Sequence, residues 1–143
     1  MRLDLSSLRN AIGQVESALA YHASEIAQSD LDLALHLRAA AIQAFEFTYE
    51  LCIKMLRRYL AATEPDPSAV MDMTFHDLIR LGWERGLLEA DIVAWRDFRS
   101  DRGATSHAYD QRKAQEVFEA IPAFLAEAKH LLQRLAERQV NAG

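Results

Sequence analysis

The chain has 143 residues and a net charge of −5, from 16 Lys and Arg against 21 Asp and Glu, which is the size of a single domain. Half of the residues are apolar and 26% are charged, which excludes a disordered chain, and five glycines with three prolines are too few for a turn-rich β-sandwich. A pI of about 5.5 argues against coating duplex nucleic acid by bulk charge, while leaving room for a local basic site.

A chain this long buries roughly 68% of its unfolded surface, so one domain over residues 1–143 needs no metal or disulfide to hold its core. Cys52 is the single cysteine and sits in an apolar periodic stretch, as a buried, inert thiol would. The opening MRLDLSSLRN carries charges where a signal peptide needs apolar residues, and no run of about 18 apolar residues follows. A soluble, cytoplasmic protein without membrane contact is expected.

In chain order, Leu5, Leu8, Ile12, Val15 and Leu19 recur at three- and four-residue steps and predict an amphipathic helix over residues 3–24. Turn chemistry at Gln28, Ser29 and Asp30 precedes a long helix over about residues 32–62, roughly 45 Å in length. Its stripe runs through Leu35, Ile42, Phe45, Tyr49, Cys52 or Ile53, and Leu56, and is wide enough to contact more than one neighbour. Residues 63–73, with Pro65 and Pro67 and no clear period, read as the main loop. Thr74 and Asp77 are spaced as a helix N-cap and its third residue, opening a short helix through Phe75, Leu78, Ile79 and Trp83 that ends at Gly86 as a left-handed C-cap. A further helix over about 89–101 carries Ile92, Val93, Trp95 and Phe98 and is broken by Gly103. Asp110 can cap a last helix reaching about residue 138, with a kink or a break at Pro122. The expected fold class is all-α, an up-and-down four-helix bundle with one additional short helix.

Conventional sites are missing from the pattern. The five histidines are scattered, no HExxH or Cys-His cluster occurs, and no glycine-rich loop follows a strand, so neither a metal nor a cofactor is expected. The exception is the polar segment RGATSHAY, in which Arg102 and His107 lie five positions apart at a helix–loop–helix junction. Residues 96–113 hold five cations (Arg96, Arg99, Arg102, Arg112, Lys113) against three acids (Asp97, Asp101, Asp110), a local surplus of two in an acidic chain. A guanidinium can clamp a phosphate, and an imidazole can move a proton at neutral pH, so together they suffice for metal-free RNA cleavage. The same two residues could equally cap their helices and bond loop carbonyls. Glu46 and Glu50, one helical turn apart, read either as a brace for Arg102 or as a solvated pair. Phe45, Phe47, Tyr49 and Leu51 read as core and dimer packing.

Two stretches carry a resemblance. AFEFTYELCIKMLRRYL (residues 44–60) and WRDFRSDRGATSHAYD (residues 95–110) resemble the nucleotidyltransferase substrate-binding proteins, which belong to the HEPN superfamily of small helical bundles. The first holds the F-E-F-T-x-E-L pattern as Phe45, Glu46, Phe47, Thr48, Glu50 and Leu51. The second holds D-R-x-x-T-S-H-x-Y-D as Asp101, Arg102, Thr105, Ser106, His107, Tyr109 and Asp110, and the order of helices fits over about residues 8–135. The resemblance implies a homodimer with a minimal nucleotidyltransferase (MNT) as partner, in a two-component toxin–antitoxin module. It implies a metal-independent endoribonuclease with Arg102 and His107 as catalytic residues, with RNA or a nucleotide as ligand, and with Arg99, Asp101, Thr105, Ser106, Glu46 and Glu50 in support. It also implies that Tyr109 can be adenylylated by the partner, which would put a bulky anion beside Arg102. Many HEPN nucleases have Asn directly after the Arg, and here Gly103 stands in that place. The alternative is a catalytically silent subunit that presents substrate to the nucleotidyltransferase.

Overall fold

A computed structural model describes residues 2–104 and 110–142, and among these the chain is helical throughout, with short connections. The helices are α1 (Ser6–His22), α2 (Glu25–Gln28), α3 (Leu31–Thr63), α4 (Pro67–Met71), α5 (Phe75–Glu84), α6 (Ile92–Ala104) and α7 (Gln111–Ala142). The four substantial ones, α1, α3, α6 and α7, form the bundle, and α5 is the additional short helix. α3, 33 residues long, packs against α1 and α7 and also receives α4, α5 and α6, as its wide apolar stripe requires.

Local chemistry sets most helix starts. Asp30 Oδ1 accepts from the Leu33 N–H at 3.2 Å, Thr74 Oγ1 from Asp77 N–H at 3.2 Å, and Asp110 Oδ1 from Arg112 N–H at 3.0 Å. Gly86 adopts φ +75°, the left-handed conformation that ends α5 at low steric cost.

Several boundaries differ from expectation. Residues 63–73 are not one loop, because Asp66 caps α4 through the Ala69 N–H (3.2 Å) and Pro67 fits the first helical position. Arg57 Nη1 of α3 then donates to the Val70 and Met73 carbonyls, each at 2.9 Å, and holds α4 in place. Gly103 does not break α6, which continues to Ala104, since a glycine lowers helix propensity by only about 1 kcal/mol. Pro122 lies on the exposed side of α7, and the helix runs through it. Trp83 is 51% exposed, not inward. The inward position is Gly82, where a Cβ would already stand 3.0 Å from Leu56 Cδ1 and 3.1 Å from Leu88 Cδ1, so the indole on the next residue turns out.

The core includes an aromatic cluster that joins three helices. Phe45 and Tyr49 from α3, Trp95 and Phe98 from α6, and Phe124 from α7 meet with ring centroids 4.9 to 6.5 Å apart, several pairs edge to face. Cys52 is fully buried; burial first, then the charge of Glu127, pushes its thiol well above its ordinary pKa, so it stays protonated.

Glu127 itself is only 5% exposed and accepts three hydrogen bonds, from the backbone N–H groups of Glu89 (3.0 Å) and Ala90 (2.7 Å) and from Trp95 Nε1 (2.9 Å). Removing it strands the buried Trp95 indole N–H and two part-buried backbone N–H groups. Glu127→Ala is therefore expected to lower the unfolding free energy by about 3 kcal/mol in urea titration. A loss below about 1 kcal/mol would mean that the bracket is not structural.

On the α7 side of α6, Asp101 lines a groove with Asp97, Ser100, Ala120 and Ala123. Burial first, then the charges of Asp97 and Glu116, raises its pKa. A raised carboxyl pKa means the folded chain holds its proton longer than the unfolded one, so stability falls as pH rises from the ordinary Asp value of 3.8 through the folded one. Asp101→Asn should thus raise the urea midpoint at pH 7 and have little effect at pH 3. An equal gain at both pH values would contradict this origin.

Candidate functional site

α6 lies against α3 through Trp95, which meets Tyr49, and against α7 through Phe98, which meets Phe124, and it carries Arg102 in its last turn. At about 1.5 Å of rise per residue, seven residues separate Trp95 from Arg102 by roughly 10 Å, which brings the guanidinium opposite the middle of α3. There Arg102 Nη2 pairs with Glu46 Oε1 at 3.2 Å and donates a hydrogen bond to Glu50 Oε1. Both carboxylates contact Arg102, and both are exposed, so the pairing sits in a solvated surface and combines features of the two readings of Glu46 and Glu50. Water and ligands can therefore reach the pair.

The electrostatics fit a permanently charged arginine. The hydrogen bond to Glu50 is the main cause that lifts the Arg102 pKa above its already high value, opposed by desolvation and assisted by the charges of Glu46 and Glu50. Tyr49, buried between Glu46 and Glu50 in the sequence, has its phenol pushed up to about 12 by burial, against the opposing charges of Arg99 and Arg102. It remains a neutral phenol at physiological pH.

Arg99, one turn before Arg102, lies over the Phe75 ring at 4.6 Å from its centroid. Asp101 faces α7 and does not join Arg102. His107, Thr105, Ser106 and Tyr109 lie outside the described residues. Phe45 and Tyr49 are core residues, whereas Phe47 is 54% exposed, because it falls on the opposite side of α3 from that stripe.

Two polar residues of this region have no counterpart in the motif reading. Glu127 is the bracket described above. Arg38 of α3 is 8% exposed, with Nη1 donating to Gln115 Oε1 at 3.1 Å and Nη2 to Gln111 Oε1, which ties α3 to the start of α7. A signal existed for Arg38: it occupies the slot between Leu35 and Ile42 in the same three- and four-residue stripe, so it had to be buried and hydrogen-bonded. Glu127 likewise stands three residues after the buried Phe124 in the stripe of α7.

The comparisons with known proteins agree with this architecture. A sequence model of the family described as nucleotidyltransferase substrate binding protein like matches residues 3–137. A Haemophilus influenzae protein named probable ribonuclease HepT is 40% identical over 102 residues, which cover 71% of this chain and 69% of that protein. A solved Haemophilus influenzae structure, described as the fold of a substrate binding domain of a nucleotidyltransferase, superposes with a TM-score of 0.85 at 34% identity and covers 93% of this chain and 99% of its own. A Thermus thermophilus structure superposes with a TM-score of 0.67 at 27% identity, covering 90% and 98%. Fold, motifs and matched length agree: the chain belongs to the nucleotidyltransferase substrate-binding protein family.

Proposed function

We propose that this chain is the HEPN ribonuclease of a two-component module whose other member is a minimal nucleotidyltransferase, and that it cleaves RNA without a metal. The observation that carries the reading is the guanidinium of Arg102, held by Glu46 and Glu50 of the first motif at the entrance to the second. The naming of a 40% identical relative as a probable ribonuclease supports it.

In the proposed reaction the Arg102 guanidinium binds the scissile phosphate bidentately and stabilises the charge that builds on its oxygens. His107 takes the proton of the 2′-hydroxyl. The 2′-oxygen attacks phosphorus, the bond to the 5′-oxygen breaks, and the leaving oxygen receives a proton from an imidazolium. The products are a 2′,3′-cyclic phosphate and a 5′-hydroxyl, with no net proton consumed. Two copies of the chain bring both Arg102–His107 pairs to one cleft, so that one imidazole serves as base and the other as acid. Glu46 and Glu50 are positioning residues: they hold the guanidinium until phosphate replaces one of them. Thr105 and Ser106 supply hydroxyl donors to the same phosphate.

The partner silences the site by transferring AMP from ATP to the Tyr109 oxygen, forming a phosphodiester and releasing pyrophosphate. The added anion then competes for Arg102. A second reading, a silent subunit that presents substrate to the nucleotidyltransferase, is favoured by Gly103 in the place where many HEPN nucleases have Asn, and by the description of the Haemophilus influenzae structure as a substrate binding domain.

Growth separates the two. Expression of the chain alone should arrest growth, whereas Arg102→Ala and His107→Ala should be tolerated at equal protein levels; a harmless parent chain would favour the silent subunit. Incubation with the partner nucleotidyltransferase, ATP and magnesium should add AMP by intact mass. Equal labelling of Tyr109→Phe would remove the tyrosine assignment.

A further inference from the structure

The face made by α5 and α6 combines features that the Arg102 site does not use. At 3.6 residues per turn, Arg96, Arg99 and Arg102 fall within about 120° of one another around α6, whereas Asp97 and Asp101 point to the other side, toward α7. Ile92 lies in the same sector as Arg96 and Arg99, about 15 Å along the helix from Arg102. There α5 contributes an open cleft of about 300 Å³, lined by His76, Arg80, Trp83, Asp91 and Ile92. The Trp83 indole is half exposed beside it, and between cleft and site Arg99 covers the Phe75 ring.

Arg96, Arg99 and Arg102 thus share one side of α6, with the Phe75 ring under Arg99 and the Trp83 indole at the cleft. The acids on this face are already engaged: Asp91 Oδ1 accepts from the N–H groups of Val93 (3.0 Å) and Ala94 (3.3 Å), Glu84 pairs with Arg80 (3.1 Å), and Asp77 lies 3.6 Å from His76. Exposed pairs of the last two kinds are weak and give way to a phosphate at little cost.

We infer that the α5–α6 face is the path of a single-stranded RNA toward Arg102, with Arg96 and Arg99 along the sugar–phosphate backbone and one unpaired base stacked on Trp83 in the cleft beside His76 and Arg80. The inference rests on the ribonuclease reading for the sense of the path, but the contacts are its own. Guanidiniums follow a backbone without regard to sequence, and an exposed indole stacks any base whose face is free. A duplex offers no such face, so the surface selects single strands.

Trp83 makes the test direct, because the second tryptophan, Trp95, is fully buried and the solvent-exposed emission belongs to Trp83. The full chain is titrated with a 2′-O-methyl RNA oligonucleotide, which lacks the attacking hydroxyl and is not cut, with emission and fluorescence anisotropy read together. Binding should quench the exposed indole. Trp83→Ala should weaken binding at least fivefold, and Trp83→Phe should recover most of the loss. Arg96→Ala should lower the slope of log affinity against log salt by about 0.7, while Lys129→Ala on α7 should leave affinity within about twofold.

No binding, unchanged affinity in both Trp83→Ala and Arg96→Ala, or equal affinity for a blunt duplex would overturn the path. The two proposals fail separately. Trp83-dependent binding without cleavage of ordinary RNA rejects the ribonuclease and keeps the path; cleavage that is undiminished in Trp83→Ala and Arg96→Ala keeps the ribonuclease and rejects the path.

Discussion

The carboxylate of Glu127 determines where α6 lies. It accepts two part-buried backbone N–H bonds just before that helix and the buried indole N–H in its first turn, and is itself buried. Charge-assisted bonds of this kind are shorter and stronger than neutral ones, and three converging on one group leave little freedom to the segment that donates them. The aromatic cluster of Trp95, Phe98, Phe45, Tyr49 and Phe124 then fixes the rotation of α6 against α3 and α7. Because α6 is a continuous helix from Ile92 to Arg102, these constraints at its start propagate to Arg102 near its end.

At that end the contacts are of a different type. Arg102 pairs with Glu46 and Glu50 at a surface that solvent reaches, where ion pairs contribute about 0–1 kcal/mol. A buried, hydrogen-bonded start and a solvent-exposed ion-paired end suit the proposed role of Arg102, in which a phosphate replaces one carboxylate. Arg38 contrasts with it. Buried and bonded to Gln111 and Gln115, it holds the start of α7 to α3. α6 also separates its charges, with Arg96, Arg99 and Arg102 on one side and Asp97 and Asp101 on the other toward α7, so the net −5 of the chain says little about the surface around Arg102.

Much of this was legible from residue order because local rules decide it. Thr74 and Asp110 cap helices where their spacing says they should, Gly86 takes the left-handed conformation, and the α3 stripe is buried as written. What escaped depends on contacts between distant parts of the chain. α4 was hidden behind two prolines, one of which opens a helix and does not interrupt it. Trp83 turned out to solvent because Gly82 is needed against Leu56 and Leu88, a demand that periodicity alone does not reveal. The partners of Glu127 and Arg38 are more than 30 residues away, so their hydrogen bonds leave no local pattern. Of the candidate site, the motif pointed to Arg102, Glu46 and Glu50 together, and the structure joins those three. Asp101 was grouped with them through the motif resemblance; it lies one residue around the helix from Arg102 and faces α7.

The central claim is that Arg102 and His107 cut RNA without a metal. The most direct measurement is single-turnover cleavage of an end-labelled single-stranded RNA by the purified chain in excess EDTA, with product ends identified. The account predicts 2′,3′-cyclic phosphate and 5′-hydroxyl ends, and a rate at least about 100-fold lower for both Arg102→Ala and His107→Ala. RNA left intact by the parent chain, or cleavage that both variants retain, would contradict it.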